Sequence, residues 1–395
     1  MQRFSRQALI YVGTEAVYGT AMGMYGFILN LFFLSLGLTA AQIGVITGAG
    51  IVVMGLCALP RGFLARRTGR KNMYASGVLL IGTNLVLYVL CPLSLLFLPV
   101  VFVAVGMTMV EVSEVQVMYQ SCADDRERVT VFSVSFATFS LCSALGTFLG
   151  GRLPGLIGYR GTMLLTGVIT LLVGLMRWVA LHDDRKTPEA EQRRQRTPLK
   201  AVLDRKFFSF LAVIAFHGAL SNTIGPFSTL ILKYRCNWPD SRISTVLTVS
   251  LVCGFLLALY TPRLQRKIYH AGIYVGGYAA LIAVLAALAV SGNVYLFAVL
   301  FIVRGGLEIM LKNMIDSVTY LTLDEAQKDI YAGARSLMKG TVGALTAFVV
   351  GVLLSCGDVG FVFWLAVGLM VCAAALFILC IAPLFHDKKN GERPL

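Results

Sequence analysis

Charge is scarce in this sequence. Of its 395 residues 14% are Asp, Glu, Lys or Arg while 57% are hydrophobic, against roughly 25% charged in an ordinary soluble domain. So few charged groups cannot cover a water-soluble particle of this length, which excludes a soluble globular protein. Metal-ligand spacing is missing too: nine cysteines are scattered singly, with no CxxC pair and no His-rich partner. They read as apolar filler. No HExxH, GxSxG or other paired catalytic motif occurs, which argues against an intramembrane enzyme. No dense cluster of oxygen ligands marks a sodium site, and no cofactor or metal is expected. No small-residue cleavage pattern accompanies the first apolar run, so that run is expected to stay in the mature protein.

What the sequence has in abundance is apolar runs. Stretches of about 20 residues, enough to cross a hydrocarbon core of about 30 Å, recur along the whole chain. They predict an all-α polytopic membrane protein with twelve spans near 8–34, 40–60, 73–91, 95–120, 129–151, 159–181, 207–233, 242–261, 270–290, 293–321, 330–355 and 359–384.

The formal charge of +14 invites a nucleic-acid reading, and its distribution rejects it. With the N-terminus placed in the cytoplasm, the inner segments hold 24 of the 34 Lys and Arg; the outer loops hold only Arg152, Arg160, Lys233, Arg235 and Arg242. This is the positive-inside asymmetry, and it puts both termini in the cytoplasm. The expected location is a cell membrane, the bacterial inner membrane.

Residues 182–206 are long, charged and Pro-containing, and read as a cytoplasmic linker between a first six-helix bundle (1–181) and a second (207–395). Features recur at an offset of 200: Gly26-Phe27 falls on Pro226-Phe227, Ile43 on Ile243, Tyr74 on Tyr274, Gly77 on Gly277, Gly106 on Gly306, Asp124 on Asp324 and Gly151 on Gly351. Their spread over five spans favours an internal duplication.

The loop between spans two and three runs from Gly62 through Arg66, Arg67, Gly69 and Arg70 to Lys71. It resembles the G-x-L-x-D-R-x-G-R-K loop of the major facilitator superfamily, and Gly37 to Gly44 resembles that family's entry into span two. The resemblance implies two pseudo-symmetric six-helix bundles, parallel repeats around a midplane cavity that opens to each side in turn. It also implies a gating role for Arg66, Arg67 and Arg70. Three features depart from the family: Arg66 stands where the loop usually has Asp, the span at 95–120 has no basic residue, and Thr147 replaces Pro in the span-five stretch Gly146 to Gly151, otherwise similar to that of exporters.

Ionisable residues inside a membrane are expensive, about 2.5–3.5 kcal/mol each on insertion scales, so they must face water or one another. Tyr11, Glu15, Tyr18, Met22 and Tyr25 recur at helical steps on one face of span one, and Met107, Glu111, Glu114 and Met118 on one face of span four. The resemblance implies that both spans line the cavity. In span ten Arg304, Glu308, Lys312 and Asp316 alternate in sign at intervals of four, a spacing at which neighbours can neutralise each other. Arg335 and Lys339 in span eleven lack acids of their own. Arg177, near the inner end of span six, is expected to snorkel. His217 precedes Ser221, Asn222 and a Gly225-Pro226 break that would free backbone groups along a cavity.

These residues point to a secondary active transporter working as a monomer in the lipid bilayer. Its small-molecule substrate is expected to be an amphipathic organic anion or zwitterion, held by Arg304, Arg335, Lys339 and His217 with its apolar part on Tyr11, Tyr18 and Tyr25. Glu15, Glu111 and Glu114 are candidates for the coupling proton, with a proton gradient driving export, and Glu308, Lys312 and Asp316 for gating salt bridges. Two alternatives share the fold: a lysolipid or lipid flippase, and a multidrug cation-proton antiporter.

Overall fold

The computed structural model describes residues 4–57, 69–122, 124–181, 204–267 and 271–383, and no strand occurs among them. The first half comprises α1 (Arg6–Ser35), α2 (Ala40–Cys57), α3 (Arg70–Leu90), α4 (Phe97–Gln120), α5 (Asp125–Gly150) and α6 (Pro154–Ala180). The second comprises α7 (Arg205–Ile224), α8 (Ser228–Cys236), α9 (Asp240–Lys267), α10 (Ala271–Val290), α11 (Val294–Thr322), α12 (Glu325–Ser355) and α13 (Val359–Leu376). Among the described residues twelve helices are long and apolar enough to cross a membrane, matching the twelve expected spans. The seventh span is α7 followed by α8, and the interruption falls at Gly225 and Pro226 as expected. Arg66, Arg67 and residues 182–203 of the linker lie outside the described residues; Arg70 opens α3.

The duplication shows in the details of capping. Asp124 caps α5, its carboxylate accepting from the Glu127 N–H at 2.7 Å. Two hundred residues later Asp324 caps α12 in a capping box with Gln327. Packing repeats as well. In the first half α1 lies on α5 and α6, α3 on α4 and α6, and α2 on α4; in the second α7 lies on α12 and α13, α10 on α11 and α13, and α9 on α11. Counted in spans, each pair of the second half is a pair of the first with six added.

α6 is built inside out relative to a helix in water. In α6 the exposed face carries Leu164, Val168, Leu172, Leu175 and Val179, while Thr162, Thr166, Thr170, Gly174 and Arg177 are turned inward. Lipid tails are as apolar as leucine, so small and weakly polar residues go where helices meet, because they let backbones approach and pack closely.

The halves meet along α2–α12, α5–α9 and α1–α8. A Cβ on Gly44 would stand 2.8 Å from the Gly351 Cα, and one on Gly151 only 2.2 Å from the Ser244 side chain. Positions 44 and 244, like 151 and 351, are 200 apart, so one crossing is built twice. At positions 44, 151 and 351 a Cβ would collide with the facing helix, so glycine is what fits there, while position 244 carries a serine.

Candidate functional site

In the first half, three helices converge on a buried ion pair. Arg177 of α6 donates through Nη2 to Glu15 Oε1 at 2.6 Å and through Nε to Thr14 Oγ1 at 3.2 Å; its exposure is 0% and that of Glu15 is 1%. Tyr74 of α3 donates its hydroxyl to the same Glu15 oxygen. The guanidinium lies 4.7 Å from the Tyr18 ring centroid and 4.6 Å from that of Tyr74, and Tyr11 stacks on Tyr74. Cation–π contact on two ring faces and an ion pair at the edge together offset a desolvation cost of several kcal/mol. Arg177 therefore does not snorkel, contrary to the sequence expectation: α6 continues its Thr162, Thr166, Thr170 and Gly174 face to position 177, which aims the side chain into the bundle. That stripe of inward threonines was the signal available in the sequence, and Thr14 and Tyr74 are members of the cluster that sequence reasoning missed.

The rest of the predicted first-half wall is more open. Glu111 is exposed and Glu114 half-buried on α4, and among the described residues neither has an ion-pair or hydrogen-bond partner. Glu114 lies within the electrostatic reach of Glu15, Arg177 and Glu111. Met22 and Tyr25 are half-buried, with Tyr25 hydrogen-bonded to Tyr88, whereas Tyr11 and Tyr18 are buried with the Arg177 cluster.

The second-half charges are organised differently. The first rung of the α11 series closes, with Arg304 Nη1 2.9 Å from Glu308 Oε2, and the other Glu308 oxygen accepts from Ser221 of α7 at 2.8 Å. The expected continuation along the same face does not form. Asp316 turns to α12, where Arg335 Nη2 donates to its Oδ2 at 2.7 Å. A bidentate-capable guanidinium on a neighbouring helix outcompetes an ammonium on its own.

Lys312 and Lys339 are half-buried, and among the described residues neither has a carboxylate within ion-pair distance. The Lys339 stem runs over Gly218 of α7, where a Cβ would come within 2.6 Å of its Cγ, and its ammonium is in the electrostatic reach of Lys312, Arg335, Asp316 and Glu111 of the opposite half. His217 is buried, its Nε2 2.8 Å from the Tyr278 hydroxyl.

The charges share one side of the seam between the halves. Hydrogen bonds joining the two halves run from Asn30 to the Pro226 carbonyl, Ala41 N–H to Ser355, Arg152 to Ser244 and Thr245, Tyr159 to Asp240, and Thr248 to the Ala144 carbonyl. Lys233 backs Asp240 at 2.6 Å. All lie toward the end remote from the chain termini. Glu15, Glu111, Glu114, Lys312, Asp316, Arg335 and Lys339 lie between these hydrogen bonds and the termini side, where α2 and α12 stay in contact with Gly55 against Gly340.

Two six-helix bundles packed along α2–α12, α5–α9 and α1–α8, with intramembrane charges between them, define a class, the multi-pass membrane transporters with a solute path between their halves. The chain belongs to the Major Facilitator Superfamily, whose family model matches residues 12–338. No curated protein matches the sequence. Among solved structures it is similar to a bacterial homologue of the human lysosomal transporter Spinster in an inward-facing, unoccupied conformation (14% identity, TM-score 0.77, 98% of each chain covered). It is also similar to the nucleoside transporter NupG (16%, TM-score 0.74, 98% of this chain and 100% of that one) and to the POT family transporter PepTSo (12%, TM-score 0.76, 98% and 99%). The shared feature is the fold.

Proposed function

We propose that this transporter moves a small amphipathic organic anion or zwitterion across the membrane by alternating access, coupled to protons. The observation that carries this reading is the pair of uncommitted lysines, Lys312 and Lys339. An intramembrane ammonium without a carboxylate partner is costly, and an anionic solute supplies the missing charge. Arg304 and Arg335 are already engaged with Glu308 and Asp316, so the anionic group goes to the lysines, next to the Arg335–Asp316 pair. A solute cation would face Glu111 across the space, and an apolar part the half-buried Met22 and Tyr25 side of α1. Glu111 and Glu114, free of ion pairs, are the carboxyls able to gain and lose a proton as the site changes its access to water. Export is the proposed direction, on the likeness of Gly146 to Gly151 to the corresponding stretch of exporters.

The test is a thermal-shift screen of the purified protein against amphipathic anions, zwitterions, cations and lysolipids at acid and alkaline pH. An anion or zwitterion should raise the melting temperature, and K312Q/K339Q should weaken that binding about tenfold or more, the weight of one or two charge-assisted hydrogen bonds. Stabilisation by hydrophobic cations alone would instead make Glu111 and Glu114 the binding site and the protein a cation-proton antiporter.

A further inference from the structure

The seams α2–α12 and α5–α9 are copies of one another, and one of them has been altered. Between α2 and α12 backbone meets backbone at three levels. A Cβ on Gly44 would stand 2.8 Å from the Gly351 Cα, one on Gly48 3.1 Å from the Ala344 carbonyl oxygen and one on Gly55 3.2 Å from the Gly340 Cα. Shifting these positions by 200 gives the other seam. There Gly151 meets Ser244 and Thr248 donates to the Ala144 carbonyl at 3.3 Å, so the first two levels are kept. The third is not. Gly55 also faces the Ser336 carbonyl, and the counterparts of Gly55 and Ser336 are Phe255 and Phe136. Two phenyl rings with centroids 6.4 Å apart stand where the other seam has a glycine and a serine.

The antiparallel register continues beyond them. Position 151 faces 244, 144 faces 248 and 136 faces 255, so one turn further toward the termini side Phe132 opposes Leu259. Phe132, Phe136 and Leu259 are each about half exposed. Side chains that oppose one another in a closed helix pair interlock and cover each other, so the seam parts from this level on. The lipid-facing side of α5 is elsewhere: Leu141 and Leu145 are exposed on the opposite face of the helix. No charged residue occurs from 129 to 151 or from 243 to 262, which leaves the opening uncharged on both sides.

Behind the opening lies a cation. A Cβ on Gly254, the neighbour of Phe255, would come 2.5 Å from Ile309 Cδ1 of α11, and Lys312 follows Ile309 by three residues, about 4.5 Å along the helix. Among the described residues no carboxylate is within ion-pair distance of Lys312. An apolar gap with an unanswered ammonium one turn behind it is complementary to an amphiphile with a negative head.

We propose that the α5–α9 seam is a slot for a hydrocarbon chain and that the solute is a single-chain anionic amphiphile. Its head lies at Lys312 and Lys339, and its chain passes between Phe136 and Phe255 into the termini-side leaflet. The inference rests on the anion reading above and gives the apolar part of that solute a length. The Met22 and Tyr25 side of α1 receives a compact group, whereas a long chain needs a way out of the space between the halves. The α2–α12 seam offers none at these levels, because its glycines leave no room between the backbones.

The experiment uses the purified full chain in phosphatidylcholine vesicles and, as probe, dodecyl phosphate brominated near the end of its chain. Bromine quenches tryptophan at close range, so the readout is the emission of F136W, with L145W as the lipid-facing control and wild type supplying the signal of Trp178, Trp238 and Trp364. F136W should be quenched to a plateau, and unbrominated dodecyl phosphate should restore its emission. Quenching of L145W should rise with the bromine content of the bilayer and reach no plateau. In the K312Q/K339Q background the F136W plateau should require about tenfold more probe. If F136W fails to fold, F255W reports from the other side of the slot. Quenching of F136W that follows L145W at every concentration, or a plateau that butyl phosphate displaces as well as dodecyl phosphate does, overturns the slot. Lysine-dependent stabilisation of the wild type by dodecyl phosphate would then still stand for the anion reading. A plateau indifferent to K312Q/K339Q overturns the placement of the head, and the anion reading with it.

Discussion

The two halves repeat one another in capping, packing and glycine crossings, yet they treat charge in opposite ways. In the first half the ion pair is sealed: Arg177 and Glu15 are 0% and 1% exposed and walled by tyrosines. In the second the pairs are open, 7% and 13% exposed for Arg304 and Glu308 and 16% and 22% for Arg335 and Asp316, with two lysines to spare. A sealed pair gains little from water and much from geometry, and it fixes α1 to α6 and α3. A pair with some exposure can exchange hydrogen bonds with water. The same scaffold therefore supplies one rigid reference and one adaptable wall.

The largest effect that would break this contrast is the loss of one member of the sealed pair. R177M leaves Glu15 buried without its cation, at a cost of about 3–5 kcal/mol, and the measured outcome should be a steep drop in melting temperature and in yield of monodisperse protein. E15Q/R177M, with both charges gone, should recover most of that loss. Melting of R177M within a degree of wild type would mean that the first half is as adaptable as the second. A smaller effect is expected from D316N, which breaks a pair partly in contact with water and should cost about 1 kcal/mol or less. Its melting curve should lie far closer to wild type than that of R177M, and a reversal of that order would remove the distinction between the halves.

Much of the fold was legible in the sequence because membranes impose a simple rule. Every span must be apolar for about 20 residues, and every charge inside must be answered. Hence the twelve spans, the Gly225-Pro226 break and the offset of 200 could be read directly. Which partner answers which charge could not. Glu15 and Arg177 are 162 residues apart, and nothing in linear spacing joins them. Spacing also misled in α11, where intervals of four promised a ladder of two rungs: Arg304–Glu308 obeyed it, but Asp316 found a guanidinium on α12 instead of Lys312. Local periodicity reports which face a residue occupies. Only the packing of α11 against its neighbours decides what that face meets.

The smallest effect is the most diagnostic of how wet the second half is. Ser221 donates to Glu308 Oε1 at 2.8 Å, while Oε2 stays with Arg304. S221A therefore leaves one carboxylate oxygen unserved and touches no charge. In a dry site that oxygen would bear the full desolvation penalty of about 1–3 kcal/mol; in a wet one, water replaces the hydroxyl and the net loss is about 0.5 kcal/mol. Glu308 is 13% exposed and Ser221 half-buried, so the smaller figure is expected, read as a melting shift of about a degree. The same serine substitution would report the larger figure if the wall around Glu308 were as closed as the one around Glu15, and water access would then no longer be what separates the two halves.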